Sequence, residues 1–257
     1  MLKRRIIPKI LIRKLPAGKP EFEVLISQNY SNFKTVGTLK SQLRIFESNK
    51  VDELLVINTN KAPNSLDFEF YQSVKESIEF LSTPIIVGGG IKDLSEVTNL
   101  IDVGVDKVIC GISTFDHAFH NKVANRLGSQ ALVVSLDYTI NSEGIFVGNV
   151  PRKFHNWVAF TKLIRNIEDS GAGEIILNRI DFDGARMGLD LGTLKLVLEI
   201  TNVPVVLSSG AGKSEHFIEA FMQGADAVAA GTFFAKMDQS PLQLRSRIFN
   251  SGVIIRK

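Results

Sequence analysis

Eight short runs of apolar and β-branched residues, each followed by an amphipathic segment, predict an α/β protein whose parallel strands close into a (β/α)8 barrel. The 257 residues give eight units of about 32 residues, the length of one strand, one helix and two loops. Several glycines and one proline recur 120 residues further along the chain, which indicates two halves of four units. We therefore expect one barrel domain over residues 1–257 with approximate twofold symmetry.

The eight runs are hydrophobic along most of their length, as is typical of strands covered on both faces. They are Arg5 to Leu11, Glu53 to Asn58, Pro84 to Val87, Lys107 to Cys110, Ala131 to Leu136, Glu174 to Leu177, Pro204 to Leu207 and Ala227 to Ala230. Helical patterns lie between them; one begins at Asp93, an N-cap residue with Glu96 three positions later. An open doubly wound sheet is the alternative fold. Its dinucleotide-binding version is disfavoured because no Gly-x-Gly-x-x-Gly follows the first run.

The internal repeat is carried by matching segments. Pro84 and the residues after it match Pro204, Gly90 matches Gly210, and Asp106 matches Asp226, each pair 120 residues apart. Two longer connections interrupt the regular spacing, over residues 13–37 and 138–153. We expect both to overhang the barrel mouth, the second with a short hairpin at residues 145–147.

Composition excludes several classes of protein. The chain has 30 Lys and Arg against 27 Asp and Glu, without a basic block, which disfavours nucleic-acid binding. Its apolar runs are far shorter than the roughly 20 residues of a membrane-spanning helix. Since Cys110 is the single cysteine, the chain has no internal disulfide and no cysteine metal cluster. We expect a cytoplasmic protein without a metal ion or cofactor.

Glycine-rich turns after four of the predicted strands are candidate phosphate sites, because backbone N–H groups can approach an anion closely there. The turns after strands seven and eight are the usual phosphate site of such barrels, and the repeat implies a second site after strands three and four. Tight strand-to-helix turns would explain the same glycines without a ligand. The candidate phosphate-binding residues are Gly90, Asp183, Gly184, Ser208, Gly210, Gly231 and Thr232.

Charged residues stand at the starts of four predicted strands: Arg5, Glu53, Lys107 and Glu174. On a barrel these side chains would point toward one another around the axis and could pair into a ring. The alternative is that they are solubilising charges. At the opposite end, Asp137 follows the fifth strand as a candidate acid/base, or as an anchor for its loop.

Six motifs are distributed along the chain: Val87 to Ile91, Gly104 to Lys107, Gly171 to Ile175, Asp181 to Gly184, Gly210 to Phe217 and Gly224 to Ala227. Together they resemble the HisF family, the cyclase subunit of imidazole glycerol phosphate synthase. The resemblance runs from Arg5 to about Phe234. It implies a (β/α)8 barrel that takes ammonia from a HisH-like glutaminase subunit. The ammonia is joined to a bisphosphorylated aminoimidazole carboxamide ribonucleotide, giving imidazole glycerol phosphate and the purine precursor AICAR.

The resemblance also implies roles for single residues. Asp137 matches one of two catalytic carboxylates, the four strand-start charges match a gate through which ammonia enters, and Asp106 matches a glutaminase-facing residue. Leu11 stands at the position of the other catalytic carboxylate and cannot accept a proton. Further departures at the same face are Asn58, Asn178 and the pair Gly111-Ile112, and the first loop matches the family's lysine-bearing loop poorly although it contains Lys19.

Two functions follow from this contrast between a kept gate and an altered catalytic face. The first is an ammonia-using synthase that acts on a phosphorylated small molecule. The second is a divergent paralogue that activates a glutaminase and passes ammonia on for amidination of a sugar in surface-polysaccharide synthesis. An isomerase or aldolase on the same fold would need a base or a Schiff-base lysine at a strand end, and we identify no such lysine from the sequence.

Overall fold

The computed structural model describes residues 3–15, 22–60, 66–111, 116–142, 144–147, 152–154, 157–236 and 239–256. Its strands are β1 (Arg5–Lys14), β2 (Phe22–Gln28), β3 (Ser31–Thr38), β4 (Leu54–Asn58), β5 (Ile85–Gly88), β6 (Lys107–Gly111), β7 (Leu132–Asn141), β8 (Gly144–Val147), β9 (Arg152–Phe154), β10 (Glu174–Arg179), β11 (Val205–Ser208) and β12 (Ala227–Ala230). Its helices are α1 (Leu39–Ser48), α2 (Phe68–Ile78), α3 (Leu94–Asp102), α4 (His117–Leu127), α5 (Trp157–Asp169), α6 (Leu191–Leu198), α7 (Ser214–Met222), α8 (Thr232–Lys236) and α9 (Pro241–Asn250).

Eight of these strands form a closed parallel barrel. They pair in the order β1, β4, β5, β6, β7, β10, β11 and β12, and β12 pairs with β1 so that Arg5 is in register with Ala227. These are the eight predicted strands, and the fold is a (β/α)8 TIM barrel. β5 and β11 begin one residue after Pro84 and Pro204, because proline has no N–H to donate to a neighbouring strand.

The first long connection differs from the loop predicted over residues 13–37. β1 continues to Lys14, and β2 and β3 form an antiparallel hairpin that pairs with the end of β1. Apolar side chains stabilise this arrangement, since Phe22 and Val24 are buried in the same core as the helices. The second long connection contains the predicted hairpin: β8 pairs antiparallel with β7 and with β9.

The two halves of the barrel use the same device at strand starts. The carboxylate of Asp106 accepts the N–H of Ile85 at 2.8 Å, and Asp226 accepts the N–H of Val205 at 3.0 Å. Both members of the second pair lie 120 residues after those of the first. The sequence repeat therefore has a structural counterpart in which an aspartate fixes the start of the neighbouring strand.

The hydrophobic core has two parts. A small cluster fills the barrel interior and includes Ile7, Leu55, Ile86, Val133 and Ile176. A larger cluster lies between the barrel and the helices. Aspartate side chains cap the starts of helices α2, α3, α4 and α6. Among the described residues, every helix is too short or too polar to cross a membrane.

Candidate functional site

The four predicted strand-start charges meet at the N-terminal end of the barrel. Arg5 donates to Glu53 at 2.6 Å and also to Glu174. Lys107 contacts the same two carboxylates, at 2.6 Å to Glu53 and 3.2 Å to Glu174. Positive and negative side chains therefore alternate around the barrel axis in a closed ion-pair ring, and each cation is shared by both carboxylates.

The carboxylates of this ring are almost fully removed from water. The side chains of Glu53 and Glu174 are 5 % and 4 % exposed, and that of Arg5 is 16 % exposed. Burial opposes the charge on Arg5, but Glu174 and Glu53 outweigh it and raise the pKa of the guanidinium above its ordinary value. Buried charges are tolerated when they are paired in this way. The ring thus forms a charged floor under the apolar interior of the barrel.

Asp137 lies near the opposite end of the barrel, on β7. Its carboxylate accepts the Asn178 amide N–H at 2.7 Å and the Ser135 hydroxyl at 3.1 Å. Burial raises the pKa of Asp137 above its ordinary value, although these two hydrogen bonds partly offset the effect. A carboxyl group with a raised pKa can exchange a proton with a bound molecule more readily near neutral pH. The position and chemistry of Asp137 thus suit an acid/base.

Lys9 is the residue at this end that the sequence interpretation missed. Its ammonium is 5 % exposed and lies within 3.1–3.6 Å of five oxygen atoms, those of Tyr30, Asn178, Ser208, Ser209 and Asp183. Lys9 lies within β1 and not at its end, and the sequence analysis assigned it no role. The available signal was alternation on β1, which places Arg5, Ile7 and Lys9 on the same inward face.

The Lys9 amine is held in its charged form. Burial alone would lower its pKa, but the oxygens of Tyr30 and Asp183 outweigh burial and raise the pKa above its ordinary value. A Schiff base requires the neutral amine as nucleophile. The environment of Lys9 is therefore that of an ion pair and not of a Schiff-base lysine, so it gives no support to the aldolase alternative.

The β2–β3 hairpin closes over the same cluster. Asp183 accepts the Ser27 hydroxyl at 2.5 Å and the Tyr30 N–H at 3.2 Å, and its carbonyl accepts the Asn29 N–H at 3.0 Å. These bonds bring the Tyr30 hydroxyl to 3.1 Å from Lys9 Nζ and 2.8 Å from the Asn178 amide. Asp183, predicted as a phosphate-site residue, is thus engaged by the hairpin in this structure.

The other predicted phosphate-site residues of the second half cluster around the ends of β11 and β12. The Ser208 hydroxyl accepts a hydrogen bond from the Lys9 ammonium at 3.1 Å, and Gly231 packs against the Lys9 carbonyl. Gly210 has φ +99°, and a Cβ there would collide with the carbonyl of Gly188. Thr232, which begins α8, is partly exposed. Packing therefore requires the glycine at 210 whether or not its turn also binds an anion.

Two further predicted phosphate-site residues lie elsewhere around the mouth. Gly184, with φ +70°, leaves no room for a side chain because the Ser27 carbonyl of the hairpin approaches it closely. Gly90 is exposed in the turn after β5 and also has a positive φ, +89°. Gly90 thus follows β5 in the first half of the barrel, as its repeat partner Gly210 follows β11 in the second half.

Leu11 and Asn58, two of the positions that depart from the family pattern, are buried. Leu11 is 3 % exposed and is in register with Leu25 of the hairpin and Ile57 of β4. Asn58 is 4 % exposed, and its side chain accepts the N–H of Asn60 at 3.1 Å. Ile112 and Lys19 lie outside the described residues. The mouth therefore has an apolar side chain, Leu11, at the position where the resemblance implies a second carboxylate.

Asp106 lies at the N-terminal end, beside the ring residue Lys107. Its side-chain carboxylate accepts the backbone N–H of Ile85, and the residue is exposed to solvent. Within the described ranges, His, Cys, Asp and Glu side chains form no group of three that could hold a metal ion.

Comparison with known proteins identifies the family. A family model described as "Histidine biosynthesis protein" matches residues 24–239. The chain is 33 % identical over 233 residues to the imidazole glycerol phosphate synthase subunit HisF of Pyrobaculum aerophilum, covering 89 % of this chain and 90 % of that protein. The chain belongs to the HisF family of histidine biosynthesis proteins.

A second kind of HisF-family relative matches over the full length. The chain is 33 % identical over 261 residues to the "Putative imidazole glycerol phosphate synthase subunit hisF2" of Prochlorococcus marinus, covering 100 % of this chain and 99 % of that protein. A protein with the same description from Campylobacter jejuni is 30 % identical over 261 residues, with the same coverage. The family therefore includes relatives described as HisF and relatives described as hisF2, and this chain is similar to both.

Proposed function

We propose that this chain is the ammonia-using barrel subunit of a glutamine amidotransferase and that it acts on a phosphorylated small molecule at the C-terminal mouth. The observation that carries the proposal is the closed ring of Arg5, Glu53, Lys107 and Glu174 beneath an apolar barrel interior. Neutral ammonia can cross an apolar interior at far lower cost than an ion. A HisH-like glutaminase docked at the N-terminal end, beside Asp106, would release ammonia under the ring.

The mouth supports the second half of the proposal. Asp137 supplies an acid/base with a raised pKa. The turns at Gly210, Gly231 and Thr232 would hold the phosphate, because the loops after the last two strands are the usual phosphate site of this fold. Family relatives described as synthase subunits support an ammonia-consuming reaction.

One specific observation favours the divergent function as a second candidate. The position of the second catalytic carboxylate carries Leu11, which is buried, and a buried ammonium, Lys9, occupies the mouth beside Asp137. Where the resemblance implies two carboxylates, this mouth therefore has one carboxylate, a leucine and a neighbouring cation. In this candidate the chain activates the glutaminase and passes ammonia on for amidination of a sugar in surface-polysaccharide synthesis, without the histidine-pathway cyclisation.

The two candidates differ in one assay. The purified chain is incubated with the bisphosphorylated aminoimidazole carboxamide ribonucleotide and excess ammonium salt, and AICAR release is followed by chromatography. A HisF subunit that carries both carboxylates is the positive control. Turnover comparable to that control assigns the synthase reaction to this chain, whereas its absence favours the divergent candidate.

The ammonia path is tested separately, with a HisH-like glutaminase that forms a complex with this chain. Lys107→Ala opens one side of the ring and is expected to leave glutamine hydrolysis in place while less nitrogen reaches the product. Lys40→Ala, which alters an exposed lysine on α1, is the matched control. Equal ratios of product to hydrolysed glutamine in both variants and in the unmodified chain would refute the gate.

A further inference from the structure

The hydroxyl of Tyr30 occupies a site with two hydrogen-bond donors. Lys9 Nζ lies 3.1 Å from the phenol oxygen and the Asn178 amide nitrogen lies 2.8 Å from it. Both groups donate, so the oxygen accepts from an ammonium and from an amide at once. This is the arrangement by which proteins hold a hydroxyl or carbonyl oxygen of a bound molecule.

The two donors are fixed in place by their other contacts. The second N–H of the Asn178 amide is directed at Asp137, at 2.7 Å, and its carbonyl oxygen accepts the Ser209 hydroxyl at 2.8 Å. Lys9 Nζ lies 3.1 Å from the Ser208 hydroxyl. Because Lys9 and Asn178 are each held by these other hydrogen bonds, both donors keep their orientation when a ligand oxygen replaces the Tyr30 hydroxyl.

Tyr30 reaches this site from a strained turn. It forms the tip of the hairpin together with Asn29, and the two residues have φ of +49° and +53°. Asparagine tolerates the left-handed region, whereas a bulky aromatic residue is rare there. Such local strain persists where function or surrounding contacts require it. The strained backbone at Tyr30 is consistent with a side chain that gives way to a ligand.

The site also adjoins the proposed phosphate loops. Ser208 and Ser209, which both contact Lys9, immediately precede Gly210. Gly231 packs against the Lys9 main chain. A molecule whose phosphate lies at the turns of β11 and β12 would therefore have its neighbouring carbon atoms close to the two donors.

We propose that Lys9 and Asn178 bind one hydroxyl or carbonyl oxygen of the substrate, on the carbon chain next to its phosphate, and that the Tyr30 hydroxyl fills this position until the substrate displaces it. The inference rests on the proposed function, because it assumes a phosphorylated substrate at the mouth. It deepens that function by assigning the substrate class as a polyol or carbonyl phosphate. It also places the bound oxygen beside the acid/base Asp137, through the shared amide of Asn178.

The test compares two probes by isothermal titration calorimetry, inorganic phosphate and glycerol 3-phosphate, on the full chain. Tyr30→Phe removes the competing hydroxyl and keeps the ring. It is expected to bind glycerol 3-phosphate about 3- to 10-fold more tightly than the unmodified chain, because the free site is no longer self-occupied. Binding of inorganic phosphate should not change. Tyr71→Phe, which removes a phenol on α2, is the control and should leave both affinities unchanged.

The complementary variant removes a donor. Lys9→Met is expected to lose about tenfold or more in affinity for glycerol 3-phosphate, the worth of one hydrogen bond to a charged group, while inorganic phosphate binds as before. If Lys9→Met does not fold, as judged by circular dichroism, Asn178→Ser provides the same comparison with a smaller change. A purely structural role of either residue would weaken both probes alike.

The possible results separate the two proposals. If phosphate binds but neither Tyr30→Phe nor the donor variants change the preference for glycerol 3-phosphate, the oxygen site is refuted and the phosphate loops stand. If neither probe binds any of the proteins at millimolar concentration, the phosphorylated-substrate proposal is refuted and the oxygen site with it.

Discussion

Replacing Arg5 tests whether the ion-pair ring is a cooperative structural unit. In Arg5→Met, Glu53 and Glu174 lose their shared guanidinium and keep only Lys107, although both carboxylates are at most 5 % exposed. Breaking a buried ion pair by removing one partner costs about 3–5 kcal/mol, because the other charge stays buried. We therefore expect Arg5→Met to lower the free energy of unfolding by about 3–5 kcal/mol.

Lys107→Met is the matched comparison. Its ammonium is 22 % exposed, and after its removal Arg5 still contacts both carboxylates. The loss should therefore be smaller, about 1–3 kcal/mol, in the range of one or two hydrogen bonds to charged groups. A third variant combines Arg5→Met and Lys107→Met with Glu53→Gln and Glu174→Gln. Since it removes all four charges of the ring and leaves none unpaired, it should recover more than half of the stability lost by Arg5→Met alone.

Urea denaturation at neutral pH, followed by circular dichroism, measures all three variants. The slope of the unfolding free energy against urea must agree among them for the comparison to hold. A loss below about 1 kcal/mol for Arg5→Met, or one smaller than that of Lys107→Met, would contradict the reasoning. It would mean that water reaches the ring from the N-terminal face and screens its charges.

Three further predictions concern the mouth and the core. Asp137→Asn should abolish proton transfer in any assay of turnover. Because burial raises the pKa of Asp137 in the folded chain, the native carboxyl group destabilises the fold as the pH rises above about 4, whereas asparagine does not titrate. The melting temperature of the variant relative to the unmodified chain should therefore increase from pH 4 to pH 8. An unchanged difference would refute the shift. Leu11→Asp alone should not produce AICAR release. It should lower the melting temperature, because it buries a carboxylate at a position that is 3 % exposed. A gain of turnover would show that the other mouth residues still support the family reaction. Cys110 is buried with its thiol pKa raised to about 12, so iodoacetamide should modify it only in urea, and rapid labelling of the native chain would contradict its burial.

The barrel strands could be predicted from sequence because they are covered on both faces. A strand such as Ile85–Gly88 is apolar at every position, and a continuous apolar run between turn residues is a strong local signal. The hairpin β2–β3 was missed for the opposite reason. Its exposed second strand, Ser31–Thr38, is mostly polar, and the tip residues Asn29 and Tyr30 are not a favoured hairpin pair.

Two charged residues of β1, Arg5 and Lys9, show how much of the site the sequence predicts. Arg5 stands at a strand start, as do the other three members of the ring, so the topology brings the four side chains together. Lys9 lies inside the strand and has partners on β10, β11 and the hairpin tip. Nothing in the linear pattern brings those segments together until the hairpin is known to fold back over the mouth.

Strand β1 also organises the barrel interior into three layers. Its inward-facing residues are Arg5 in the ring, Ile7 in the apolar cluster and Lys9 in the mouth cluster, so charge, apolar packing and charge follow one another along the axis. An ammonium ion moving along the proposed path would have to leave the carboxylates of the ring and cross the apolar layer, which is costly for an ion. Neutral ammonia crosses that layer at far lower cost. The apolar middle layer, to which β1 contributes Ile7, is therefore the part of the proposed path that favours the uncharged form of the nitrogen that the proposed reaction requires.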